Sequence, residues 1–122
     1  MNSDRRVTRA DVAAVLDAHP TLSAQGMGHG GGKLDPVQFD TARRRLLDTA
    51  DEVQLAVDWL QKHPEAEGSS YRLKHDVERD SCAGKYVSNG AMIVALILLG
   101  WPLRGDANCG NPVVEKTRRV IR

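Results

Sequence analysis

The chain alternates apolar segments with polar and turn-forming stretches, and the spacing within each segment predicts a mainly helical fold. The densest segment is Ala91–Leu99, nine consecutive apolar residues without a charge. With Ser88 placed to cap it and Gly100 followed by Trp101-Pro102 to stop it, this segment reads as a buried helix. It is about half of the roughly 20 residues that a membrane-spanning helix requires.

Three further helices follow from periodicity. Thr8 can cap Arg9–Ala18, with Asp11 in the place of a capping-box acid, Val12, Val15 and Leu16 as the apolar stripe, and His19-Pro20 as the stop. Asp35-Pro36 with Gln38 predicts the start of a second helix. From there Phe39, Ala42, Leu46, Ala50, Val53, Val57 and Leu60 recur every three or four residues, so one continuous helix over 36–62 is expected, ended by His63-Pro64. After the turn Glu65-Ala66-Glu67-Gly68, Ser69 or Ser70 can cap a helix to about Ser81 with Leu73 and Val77 inward and Tyr71 at the edge.

Two stretches read differently. Residues 21–34 contain five glycines within 26–32 and are expected to form a flexible loop, because ordering glycine costs the most backbone entropy. Met27 and Leu34 stand where a phosphate-binding loop needs a glycine and a hydroxyl residue, so that motif is absent. In 103–122, turn formers surround Val113-Val114 and Val120-Ile121, which fits either a short β-hairpin or an irregular tail. The expected architecture is therefore mainly α: a small four-helix-like orthogonal bundle with a short C-terminal β-hairpin or irregular tail, in one domain spanning 1–122.

Composition narrows the possible partners. Seventeen Lys and Arg against sixteen Asp and Glu give a formal charge of +1, so no general attraction to nucleic acid or anionic membrane is expected, and any such binding has to come from local clusters. Cys82 and Cys109 match no metal or redox spacing, which suits free thiols in a cytoplasmic protein. The polar start Met1–Arg6 has no apolar run after it, unlike a secretory signal. No cofactor and no metal site are expected.

Candidate chemistry is sparse. Arg72, Lys74 and Arg79 on the helix after Ser69, with Lys85, form one basic cluster; Arg104, Lys116, Arg118, Arg119 and Arg122 form another, interrupted by Glu115. Either would give a weak, salt-dependent grip on phosphates. A helix-turn-helix reader is a poor fit, because the helix after Ser88 would expose Ile, Val and Leu where base-reading side chains are needed. His75 and Glu78, one turn apart, can hydrogen-bond and fix a tautomer, and Tyr86, Ser88 and Asn89 stand before the buried helix where its free N–H groups could complete an anion pocket. On the expected 36–62 helix, Arg44, Arg45, Asp48, Glu52 and Trp59 offer a protein interface, with Arg44–Asp48 as an i,i+4 ion pair and Trp59 set to meet the N-terminal helix or a partner. The expected function is binding without catalysis, to nucleic acid or a nucleoprotein complex. A protein–protein adaptor or inhibitor acting through 36–62, a homodimer, and a small enzyme using His75 and Glu78 are the alternatives.

Overall fold

The structure, a computed structural model, describes residues 6–26, 34–81, 85–104 and 112–114. The glycines between 27 and 33, Cys82, Cys109, Lys116, Arg118, Arg119, Val120, Ile121 and Arg122 lie outside the described residues. Among the described residues are five helices and three short strands: α1 (Arg9–Ala18), α2 (Pro36–Leu46), α3 (Ala50–Lys62), β1 (Gly68–Ser69), α4 (Ser70–Asp80), α5 (Asn89–Leu99), β2 (Leu103–Arg104) and β3 (Val113–Val114). The fold is mainly α, as the periodicity predicts, with a small antiparallel sheet.

The expected caps are made. Thr8 with Asp11, and Asp35 with Gln38, close reciprocal capping boxes on α1 and α2, while Ser69 and Ser88 cap α4 and α5. α5 ends at Gly100, whose φ of 74° is the left-handed conformation that glycine adopts without strain, and the Trp101 N–H returns to the Leu96 carbonyl at 3.0 Å. Being apolar all round, α5 has no polar face to give to water. The fold resolves this by packing α1, α3 and α4 against it, and residues from Asn89 to Leu96 are all buried. The buried apolar side chains form one cluster in which Met92, Ile93 and Leu96 meet Val12, Leu46, Val53, Leu60 and Leu73.

The continuous helix expected over 36–62 is broken. Leu47, Asp48 and Thr49 turn back with N–H bonds to Arg44, Arg45 and Leu46, and the Thr49 hydroxyl donates to the Leu46 carbonyl at 2.6 Å. That hydroxyl and the Thr49 N–H claim the acceptor that the next helical turn would have used, a known way for threonine to compete with helix. Tertiary ties point the halves differently. The Arg43 guanidinium donates to the Leu16, His19, Pro20 and Leu22 carbonyls, clamping α2 to the end of α1, while α3 packs on α5.

Two other expectations change. The loop expected to be flexible over 21–34 is ordered at its start: Leu22, Ser23 and Ala24 are buried, Ser23 and Gly26 exchange backbone bonds, and the Ala24 N–H reaches the Ala42 carbonyl. At the C-terminal side a hairpin is present, but Val113-Val114 pairs with Leu103-Arg104 on one side and with Gly68-Ser69 on the other, in the order β1-β3-β2. The third strand comes from the turn before α4, a long-range pairing that local composition does not reveal. The Ser70 N–H, bonded to the Pro112 carbonyl at 2.8 Å, fixes the start of α4 to this sheet.

Candidate functional site

The seam where α4 meets the start of α5 gathers most of the chain's candidate chemistry. α4 divides by helical spacing into an inner face, Ser70, Leu73, Lys74 and Val77, and an outer face on which Tyr71, Arg72, His75 and Arg79 are exposed. On the inner face the Ser70 hydroxyl donates to Asn89 Oδ1 at 2.7 Å, both residues being buried. One turn on, Lys74 Nζ donates to Glu78 Oε2 at 3.3 Å, with only 7% of the lysine side chain exposed. Glu78 is a junction: Oε2 also accepts the Val87 N–H at 2.9 Å, and Oε1 lies 2.9 Å from His75 Nδ1.

These contacts set the charge state of Glu78. Burial acts to raise its pKa, but the Val87 N–H, then the hydrogen bond and charge of Lys74, then His75 outweigh it, so the carboxyl sits below the ordinary glutamate value. Glu78 is thus held ionised as a bracket that joins α4 to the residues leading into α5. The His75–Glu78 pair expected from sequence does form, and the carboxylate is engaged on both oxygens, by Lys74 and the Val87 N–H on one and by His75 on the other.

The anion pocket expected at the start of α5 is closed. Its N–H groups already have partners: Ser88 N–H donates to Glu52 Oε1 at 2.8 Å, Gly90 N–H to the Ala24 carbonyl at 3.1 Å, and Ala91 N–H to Ser88 Oγ at 3.1 Å. Ser88 and Asn89 are buried and structural, so Tyr86 alone of that expected group is exposed. Gly90 lies so close to residues 23 and 24 that a Cβ there would overlap the Ser23 carbonyl oxygen and stand 2.8 Å from Ala24 Cα.

No protein-family model, curated protein or solved structure matches the chain. What the seam can do therefore follows from its own geometry.

Its outer side is aromatic and basic. Tyr71 and Tyr86 are 51% and 61% exposed, and Lys74 Nζ lies 5.5 Å from the centre of one ring and 4.9 Å from the centre of the other. Both rings therefore take the same ammonium group on one face, a cation–π arrangement that holds them in place. His75 meets Tyr71 edge-on at 4.6 Å. Apolar periodicity places Tyr71 only at the edge of a core stripe; its i,i+4 spacing to His75 is the signal for a surface role.

The basic set divides. Lys74 is buried against Glu78 and is no free surface cation, and Arg79 shares its charge with Asp76 and Asp80, each at 3.2 Å. Arg72 lies seven residues before Arg79, about 10 Å along the helix at 1.5 Å per residue. It sits at the sheet end, where Arg104 stands in register with Val113, and Val113 with Ser69. Lys85 is exposed beside Tyr86.

The charged face expected along 36–62 is rearranged by the break. Arg44 pairs with Asp40 at 2.8 Å and Asp48 with Arg9 at 2.7 Å, so the expected Arg44–Asp48 pair is replaced. Glu52 turns inward to Ser88, and Arg45 stays exposed. Trp59 meets α4 where α1 or a partner chain was expected: its indole N–H donates to Asp80 Oδ2 at 2.8 Å, and its ring stacks on His63 at 4.3 Å. That indole hydrogen bond, with Arg79 and His63 nearby, lowers the Asp80 pKa. Leu55, Trp59, Val77 and Lys85 line an open groove of about 530 Å³ between α3 and α4. Among the described residues no group of three or more His, Cys, Asp or Glu could hold a metal ion, and no helix is long and apolar enough to cross a membrane.

Proposed function

We propose that this protein works by binding and not by turnover, and that its partner is nucleic acid, free or within a nucleoprotein complex, met at the outer face of α4. The observation that carries this reading is the pair of exposed tyrosines that share the Lys74 ammonium, with the exposed cations Arg72 and Lys85 their neighbours in the chain. Aromatic faces beside cations are what nucleic-acid surfaces use to combine base contact with phosphate contact. Arg104 and the terminal cations Lys116, Arg118, Arg119 and Arg122 add charge to the same reading. Two cysteines whose spacing matches no metal or redox motif suit a cytoplasmic setting.

Fluorescence anisotropy with labelled oligonucleotides across a salt series tests the reading. Micromolar binding that weakens with salt is expected, and Arg72→Ala/Lys85→Ala should reduce the salt slope by about two, one for each phosphate left without its cation. Absence of binding at low salt overturns it. The adaptor reading has less support, since Arg44, Asp48, Glu52 and Trp59 are each bonded within the chain. Self-association is favoured by one observation: Ile97, Leu98, Leu99 and Trp101, at the C-terminal end of α5, are only partly buried. A mass of 13.4 kDa in light scattering at high concentration would remove that second reading.

A further inference from the structure

We infer that Tyr71 and Tyr86 form a stacking platform for unpaired bases, so that the protein takes single-stranded nucleic acid in preference to duplex; this rests on the nucleic-acid reading above. Large aromatic side chains are ordinarily drawn into a core, yet these two are among the three large hydrophobic residues exposed in the described part of the chain. They also share one neighbour. Lys74 lies against one face of each ring, and is itself held by Glu78, which is fixed to the Val87 backbone. The half-exposure of each residue leaves side-chain surface open to solvent on which a flat partner can stack.

The chemistry of the seam selects the form of nucleic acid. A duplex keeps its base faces stacked inside and offers such a platform nothing beyond phosphates, whereas an unpaired strand presents a π face at every base. The apolar helix α5, buried from Asn89 to Leu96, has no surface with which to enter a duplex groove. Charge points the same way. The chain's formal charge of +1, the burial of Lys74 and the pairing of Arg79 leave Arg72 and Lys85 as the exposed cations adjacent in the chain to the two tyrosines. Phosphate contacts are available on strand and duplex alike, so the discrimination between them has to come from stacking.

Anisotropy with a labelled oligothymidylate, an abasic strand of the same length and a blunt duplex tests this on the full chain. The oligothymidylate is expected to bind at least about ten-fold more tightly than either control, and Tyr71→Leu or Tyr86→Leu to weaken it about ten-fold each, the order found for removal of one stacked base. Tyr71→Phe and Tyr86→Phe, which keep the ring and drop the hydroxyl, should bind as the parent does. Thermal melting of each variant reports whether it folds. Equal affinity for the abasic strand or for duplex, or a folded leucine variant that binds like the parent, overturns the inference while leaving a phosphate-contacting surface standing. Absence of binding to all three probes overturns both.

Discussion

The two faces of α4 carry similar residue types to different ends. Ser70, Lys74 and Glu78 on or beside the inner face bond to Asn89, to one another and to Val87, and through them α4 is joined to the start of α5. Tyr71, Arg72 and His75, one or two positions over, face water. A rotation of about one residue around the helix thus separates groups that hold the fold from groups that can meet a partner. Polar residues near the core are not evidence of a site; what matters is whether their hydrogen-bonding capacity is already filled.

Substitutions on the buried side of the seam should cost most. Gly90→Ala forces a methyl group into the Ser23–Ala24 backbone, which cannot yield as a side chain would. A loss of about 3 kcal/mol is expected, with a fall in melting temperature above roughly 10 °C. A variant that melts like the parent would show that residues 23–24 do not hold α5.

Glu78→Gln comes next, at about 2 kcal/mol, because it leaves the Lys74 ammonium buried without its counter-charge. The pH dependence supplies a check on sign. The Glu78 pKa is lowered by folding, so its ionic contribution is fully present above the unfolded value near 4.5 and is lost as pH falls below that toward the folded value. Urea denaturation at several pH values should find the gap between parent and variant constant above that point and narrowing below it. A gap that does not change with pH would mean that the carboxylate acts by hydrogen bonding alone.

Asn89→Ala should cost about 1–2 kcal/mol, since the buried Ser70 hydroxyl loses its acceptor. The smallest effect on stability belongs to the outer face, where Tyr71→Leu and Tyr86→Leu are each expected to move chemical stability by no more than about 0.5 kcal/mol. If either unfolds the protein, the rings belong with the inner face, and the contrast drawn between the two sides of α4 disappears.

Much of the helical content was legible because it is local. Caps at Thr8, Asp35, Ser69 and Ser88, the stop at Gly100 and the apolar stripes need only neighbours within a turn, and these formed where their residue types place them. The periodicity from Phe39 to Leu60 was real but misleading about continuity: an i, i+3, i+4 stripe persists across a tight turn that keeps Leu46 and Val53 both buried. Of the candidate site, the His75–Glu78 pair was legible from spacing, whereas the partners of Glu52 and Trp59, and the rings that share the Lys74 ammonium, are brought together across elements and have no local signature.

The amino-acid sequence therefore determined where helices begin and end except at the break over 47–49, that Ala91–Leu99 must be covered, and that net charge alone would not attract a polyanion. Only the tertiary structure decided that Lys74 is buried, that Ser88 and Asn89 close the expected anion pocket, that β1 joins the hairpin, and that Tyr71 and Tyr86 share one ammonium group. The physical reason is range. Capping and periodicity depend on residues within one turn, while the filling of a hydrogen-bond donor or the exposure of a ring depends on which distant segment the core brings against it.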